Sequence, residues 1–285
     1  MSEFAKRLAF SLIAAPLTVW ILWLGGPALV VLLSVTSGLC AFEFYRLAIG
    51  AGSTPLWGHG VILSALIPLF VHARTLGLWA PSVSLVMLVV LELLTVALWM
   101  RGSTGKPLEV VGITILGVFY TGGMLSFGYA LRYHAFAIDA AGGSALVLFV
   151  LLITWGTDIG AYVLGRALGR RKLMPAVSPG KTVAGAFGGL IVSVIVSIAY
   201  SRFVLPPLAQ LTIPLWGAVL FGILVSTAGQ VGDLVESMLK REAGVKDSST
   251  LIPGHGGALD RVDSLLFTLP IGFVLMERLL IATPR

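Results

Sequence analysis

An all-α, polytopic integral membrane protein is what this sequence predicts, and three observations carry the prediction. Hydrophobic residues make up 57% of the 285 positions and charged residues only 11%, where a soluble domain carries about 25% charge. The apolar residues fall into runs of the length that crosses a bilayer, about 20 residues each. Short polar breaks separate the runs, and only a helix satisfies every backbone amide of an open-ended span from within.

Taken in order, the runs place spans near 8–24, 28–45, 56–73, 78–100, 110–131, 144–165, 182–204, 208–239 and 264–281, about nine helices. Lys6 and Arg7 precede the first run as they would in a signal peptide, but further spans follow, so an uncleaved first helix is expected. Gly25-Gly26-Pro27 predicts a tight turn, and Gly50 to Pro55 and Arg101 to Pro107 predict polar loops. With the N-terminus in the cytoplasm, 14 of the 19 Lys and Arg residues fall on the cytoplasmic side. That asymmetry sets the orientation expected of a multi-pass protein of the inner or plasma membrane, with its polar site facing the cytoplasm.

The same composition excludes other classes. A net charge of +6 comes from basic residues scattered through the loops between apolar runs, with no basic face interleaved by aromatics, so no nucleic-acid partner is expected. One cysteine, Cys40, and four dispersed histidines offer no zinc or iron spacing.

Chemistry concentrates in one polar stretch, Gly232 to Asp263, which holds six of the thirteen carboxylates in 32 positions. At the end of the eighth span Asp233, Glu236, Ser237 and Lys240 follow at i, i+3, i+4 and i+7, which places acid, hydroxyl and cation on one helical stripe. Lys240 and Arg241 suit a helix end whose charges snorkel to the interface. Asp233 lies about two turns deeper, where an unpaired charge costs roughly 2.5–3.5 kcal/mol at a helix centre. A loop rich in Gly, Ser and Thr follows, ending Pro253-Gly254-His255-Gly256-Gly257, and glycine permits backbone amides to approach phosphate oxygens. His255 is the one histidine placed where a proton or phosphate contact would matter. Asp260, Arg261 and Asp263 then open the ninth span, and acids there also serve as ordinary helix N-terminal partners. Asp233 and Asp260, from two helix ends beside one loop, suit Mg2+, which takes one or two protein carboxylates and completes its shell with water and phosphate.

Two more features point the same way. Asp158 is an acid inside the sixth span, and such acids are functional candidates by default. Arg166, Arg170, Arg171 and Lys172 lead to Ser178-Pro179-Gly180-Lys181-Thr182, which opens the seventh helix. Its Gly-Lys-Thr ending imitates a P-loop, but Pro175 stands where that motif needs glycine and no strand precedes it. A basic loop beside a helix N-terminus suits a lipid phosphate, with plain positive-inside charge as the alternative reading of 166–172.

The run Ser237-Met-Leu-Lys240-Arg241, with Lys246-Asp247-Ser248 and Pro253-Gly-His255-Gly-Gly-Ala-Leu-Asp260-Arg261-Val-Asp263, resembles the signature of phosphatidate cytidylyltransferases, also called CDP-diacylglycerol synthases. Gly232-Asp233-Leu-Val-Glu236-Ser237 and Ser178 to Thr182 resemble the same family, so the likeness covers the chain from about Trp155. It implies CTP and phosphatidate as substrates at the lipid bilayer, CDP-diacylglycerol and pyrophosphate as products, a need for Mg2+ and a homodimer. By motif, Asp233 and Asp260 correspond to the metal-binding acids, and a two-metal site would take a second cation. On this basis 1–140 is a structural region of N-terminal helices with possible dimer contacts, and 141–285 the catalytic region around loop 232–263. Lys240, Arg241, Lys246 and Arg261 would hold the triphosphate, and Lys181, Ser178 and Thr182 the lipid headgroup. Asp247 and Asp263 would orient cations or metal waters.

Two rivals remain open at this point. A CTP-dependent lipid-alcohol kinase would use similar parts but transfer the γ-phosphate, and an ion-coupled transporter would use Asp158 and Asp233 as midplane acids.

Overall fold

The computed structural model describes residues 16–102, 104–251 and 256–282, and these are mostly helical. His255, Pro253, Gly254 and the start of the first expected span lie outside the described residues. After a helical run over 16–24 come α1 (Gly26–Gly50), α2 (Trp57–Thr75), α3 (Val83–Arg101) and α4 (Pro107–Val118). A π turn (Phe119–Gly123) leads into α5 (Met124–Arg132), followed by α6 (Ala140–Leu168), β1 (Lys172–Met174) and β2 (Ser178–Thr182). Then come α7 (Val183–Phe203), α8 (Leu205–Ala209), β3 (Leu211–Thr212), α9 (Leu215–Glu242), α10 (Leu259–Leu279) and β4 (Ile281–Ala282).

Six of the described helices are long and apolar enough to cross a membrane: α1, α3, the continuous α4–π–α5 segment, α6, α7 and α9. Each of the nine expected segments contains a helix where described, but 78–82 and 210–214 are not helical and apolarity is not uniform, so the expected count of nine is not matched by the six. Gly58, His59 and Gly60 dilute α2, and α10 carries Asp260, Arg261, Asp263, Glu277 and Arg278.

Three expectations change. The eighth span begins at Leu215 rather than near 208, because Pro206 and Pro207 confine α8 to one turn and Gln210, at φ +54, ends it. The fifth span is continuous but passes through a π turn at Phe119–Gly123. Ser178 to Thr182 does not open a helix: it is strand β2, antiparallel to β1 with Lys172 opposite Thr182 and Met174 opposite Ser178. A short strand therefore does precede Gly180, though the hairpin is not the strand–loop–helix unit of a P-loop. Thr182 ends the strand and caps α7, its Oγ1 accepting from Gly185 N at 3.1 Å, a bond worth about 1 kcal/mol.

The described residues pack as two compact units. The first joins 26–129 to 239–251 and 256–261. At its centre Tyr45 Oη donates to Thr114 O at 2.6 Å, and Thr114 Oγ1 accepts from Leu56 N at 2.9 Å. Gly60 and Gly117 make room for the Tyr45 ring, since a Cβ at either would collide with it.

The second unit joins 16–25, 130–238 and 262–282. Phe149 of α6 stacks between Tyr200 of α7 and Phe221 of α9, with centroids 4.9 and 4.6 Å apart. Gly160 and Gly188 let α6 and α7 touch backbone to backbone, since a Cβ at Gly160 would meet Gly188 O at 2.5 Å. Thr157 and Ser193 bond across the same seam at 2.6 Å, a contact worth about 0.6 kcal/mol between membrane helices. Arg132 Nε donates to Leu22 O at 2.8 Å and so closes the end of the 16–24 run.

Candidate functional site

Each unit carries one polar group. In the second, a cavity of about 490 Å³ is walled by α6, β2, α7 and α9, with Asp158, Arg166, Lys181, Gln230 and Asp233 on its lining. Lys181 reaches from β2, its Nζ 2.8 Å from Asp233 Oδ2. Ser237, one turn along α9, donates to Asp233 Oδ1 at 3.4 Å. Asp158 lies within electrostatic reach of both Asp233 and Lys181, so the acid inside the sixth helix shares one cavity with the basic hairpin.

Beside Asp233 stand Glu236 and Asp263, with one carboxylate oxygen from each of the three within 4.8 Å of the others. Gly232 brings them together: a Cβ there would fall 2.7 Å from Asp263 O and 2.8 Å from the Phe267 ring, so only glycine lets α10 lie this close to α9. Three carboxylates and the Lys181 ammonium leave a formal charge of −2 within this group of four. Mutual repulsion among such acids is relieved by a proton or a cation, and an all-oxygen donor set suits a hard divalent ion. The cluster can hold a metal ion.

In the first unit the signature loop folds around Asp260. Its Oδ1 accepts from Lys240 Nζ at 2.6 Å. Its Oδ2 accepts from Ser248 N at 2.9 Å, Ser248 Oγ at 2.8 Å and Gly257 N at 2.8 Å. Both charged groups are mostly buried, the Lys240 and Asp260 side chains being 12% and 8% exposed. Such a pair holds its geometry because each partner would be left buried and uncompensated without the other.

Of the residues expected from sequence, the structure places Asp158, Lys181, Asp233, Ser237 and Asp263 in one unit, and Lys240 with Asp260 in the other. Arg241 Nη1 donates to Val245 O at 3.0 Å at the surface, and Lys246, Asp247 and Arg261 are exposed. Ser178 lies on β2 and Thr182 is occupied as a helix cap. Three residues went unassigned. Glu236 sits one turn beyond Asp233 and was noted without a role. Ser249 hides in a serine-rich loop with nothing to set it apart. Glu43 is an acid inside an apolar run, the criterion that singled out Asp158 and would have found it.

An α-helical protein of membrane type, with a carboxylate cluster that can hold a metal ion and lysines paired to aspartates, is the class that this arrangement defines. The chain belongs to the cytidylyltransferase family, whose model matches residues 5–279. It is 34% identical over 217 residues to the phosphatidate cytidylyltransferase of Staphylococcus epidermidis, covering 76% of this chain and 78% of that protein. Identity to the phosphatidate cytidylyltransferase of Bacillus subtilis is 39% over 168 residues, 59% of each chain. The protein YnbB of Escherichia coli is 43% identical over 165 residues, 56% of this chain and 53% of that one.

Proposed function

We propose that this protein transfers the cytidylyl group of CTP to phosphatidate, forming CDP-diacylglycerol and releasing pyrophosphate. The observation that carries the proposal is that the family match over residues 5–279 takes in every residue of both polar groups. A phosphatidate oxygen forms a bond to the α-phosphorus of CTP as the bond to pyrophosphate breaks in line. Such transfers need little covalent help, so the protein's part is positioning and charge neutralisation.

Asp233, Glu236 and Asp263 would hold Mg2+, and a metal role for Asp260 is what the resemblance to the family motif implies. When bound, the ion supplies charge neutralisation and polarisation of phosphate oxygens. Lys240, Arg241, Lys246 and Arg261 hold the triphosphate. Lys181, on the cavity wall, receives the lipid headgroup, with Ser178 and Thr182 shaping the hairpin that carries it. Asp158 faces the same cavity and orients Lys181 by charge. Asp247 orients cations or metal-bound water, and His255 serves a proton or phosphate contact. The chain sits in the bilayer with about nine spans and its site toward the cytoplasm, as a homodimer.

Purified protein given phosphatidate, Mg2+ and CTP labelled at the α-phosphorus tests this reading. Label is expected in the lipid product and pyrophosphate in solution. Label confined to water-soluble nucleotide, with γ-label entering lipid, would instead establish a lipid kinase.

A further inference from the structure

Glu43 lies in α1, far in sequence from the signature loop, and is 1% exposed. Its carboxylate takes one hydroxyl and one amide on each oxygen. Oε1 accepts from Ser249 Oγ at 2.6 Å and Ala258 N at 3.0 Å. Oε2 accepts from Ser248 Oγ at 2.9 Å and Leu259 N at 2.7 Å. The two amides belong to the first turn of α10 and the residue before it, where an anion also meets the positive end of the helix dipole. Ser248 Oγ has a single proton, and it faces both Glu43 Oε2 and Asp260 Oδ2. Gly257 fits the same arrangement, because a Cβ there would strike Ser248 Oγ and Glu43 Oε2.

The geometry points to Glu43 as a positioning residue for the reaction: it fixes both ends of the loop, at Ser248–Ser249 and at Ala258–Leu259, and through Ser248 sets the orientation of Asp260. This rests on the cytidylyltransferase reading of the loop. The Ala258 and Leu259 amides can only donate, and one meets each oxygen of Glu43, so the acid must present two acceptors. A glutamine presents one acceptor and one amino group, and whichever way it is turned the amino group would face a backbone N–H that can only donate. An aspartate keeps two acceptors on a stem one methylene shorter.

The test compares Glu43→Gln, Glu43→Asp, Ser249→Ala and the wild type in lipid nanodiscs. Wild-type formation of labelled lipid from α-labelled CTP establishes the reading on which the inference rests. Glu43→Gln is then expected to lower kcat at least tenfold with KM for phosphatidate within twofold, and Glu43→Asp to recover most of that loss. Ser249→Ala, which removes one of the four donors, is expected to lose two- to fivefold. Glu92→Gln neutralises an acid that pairs with His59 in another apolar helix, and is expected to leave activity unchanged. Hydrogen exchange supplies a readout independent of turnover: peptides spanning 248–259 should exchange about tenfold faster in Glu43→Gln, with those of α3 unchanged. Should Glu43→Gln fail to fold, Glu43→Asp and Ser249→Ala carry the same comparison. Unchanged exchange across 248–259, or kcat losses in Glu43→Asp equal to those in Glu43→Gln, would overturn the inference.

Discussion

Lys181 Nζ sits 2.8 Å from Asp233 Oδ2, which ties the β1–β2 hairpin to the C-terminal half of α9 on one wall of the cavity. The two side chains are 25% and 36% exposed, so water and salt screen their attraction. A pair of this kind adds little to stability. On the proposed function its value is that an ammonium is held at the cavity by a partner it would exchange for the lipid phosphate.

Lys181→Ala is therefore expected to act on lipid use. KM for phosphatidate should rise about tenfold or more while KM for CTP stays within about twofold, because a uniform-binding contact to one substrate is removed. Steady-state kinetics with each substrate varied in turn checks this. Equal losses for both substrates would show that Lys181 does not divide them.

Orientation can be tested at two exposed positions, one in each basic loop. Lys172 and Lys246 are both on the surface, whereas Ser248 is buried in the loop network. Cysteines placed singly at 172 and 246, with buried Cys40 replaced by Ser, are expected to label only from the cytoplasmic face of sealed vesicles. Labelling from opposite faces would mean that an odd number of spans separates the two loops.

How much was legible depends on whether the signal was periodic or relational. The helices could be read because an apolar run must become a helix in lipid, and Asp233, Ser237 and Lys240 could be placed on one stripe because 3.6 residues per turn fixes their spacing. The π turn could not be read, since Gly122–Gly123 in an apolar run looks like small-residue packing. Strand β2 was hidden by a threonine that reads as a helix cap and is one. Glu43 and Ser248 meet across 205 residues, and no local pattern in a single sequence encodes such a contact. Gly232 had a visible position and an invisible reason, the passage of α10 beside it.

The α6–α7 seam makes a structural prediction. Gly160→Val would push a side chain into Gly188 O and the Val192 side chain, and overpacking of this sort costs about 1–3 kcal/mol. The melting temperature should fall. Because Ala161, Gly165 and Gly185 on the same seam line the cavity, KM for phosphatidate should rise too. Ala161→Gly, which opens space instead, should leave the melting temperature nearly unchanged. A Gly160→Val protein with wild-type stability would show that the helices are not held at backbone contact.

The acids make the last prediction. Asp233, Glu236 and Asp263 each place an oxygen within 4.8 Å of the others, and the motif adds Asp260. If one cation unites them, Asp→Asn at 233, 260 or 263 should cut kcat by about 10² or more, the scale of losing one preorganised charge-stabilising group. The losses should be non-additive, because the first removal already disables the unit. The half-saturating Mg2+ concentration should rise in each variant, and EDTA should abolish turnover. Stability should move the other way for Asp263→Asn in metal-free buffer, since a neutral amide relieves repulsion among crowded carboxylates. Asp260→Asn should not share that gain, because an amide nitrogen at Oδ2 would face the Ser248 and Gly257 N–H groups and one at Oδ1 the Lys240 ammonium, all donors only. Rates and melting temperatures of each single variant, and of the 233/260 and 233/263 doubles, are measured across a Mg2+ titration. If the 233/260 double loses the product of its single losses with Mg2+ dependence unchanged, Asp260 anchors the loop and does not share the cation. The same result for 233/263 would mean that no common ion joins the cluster.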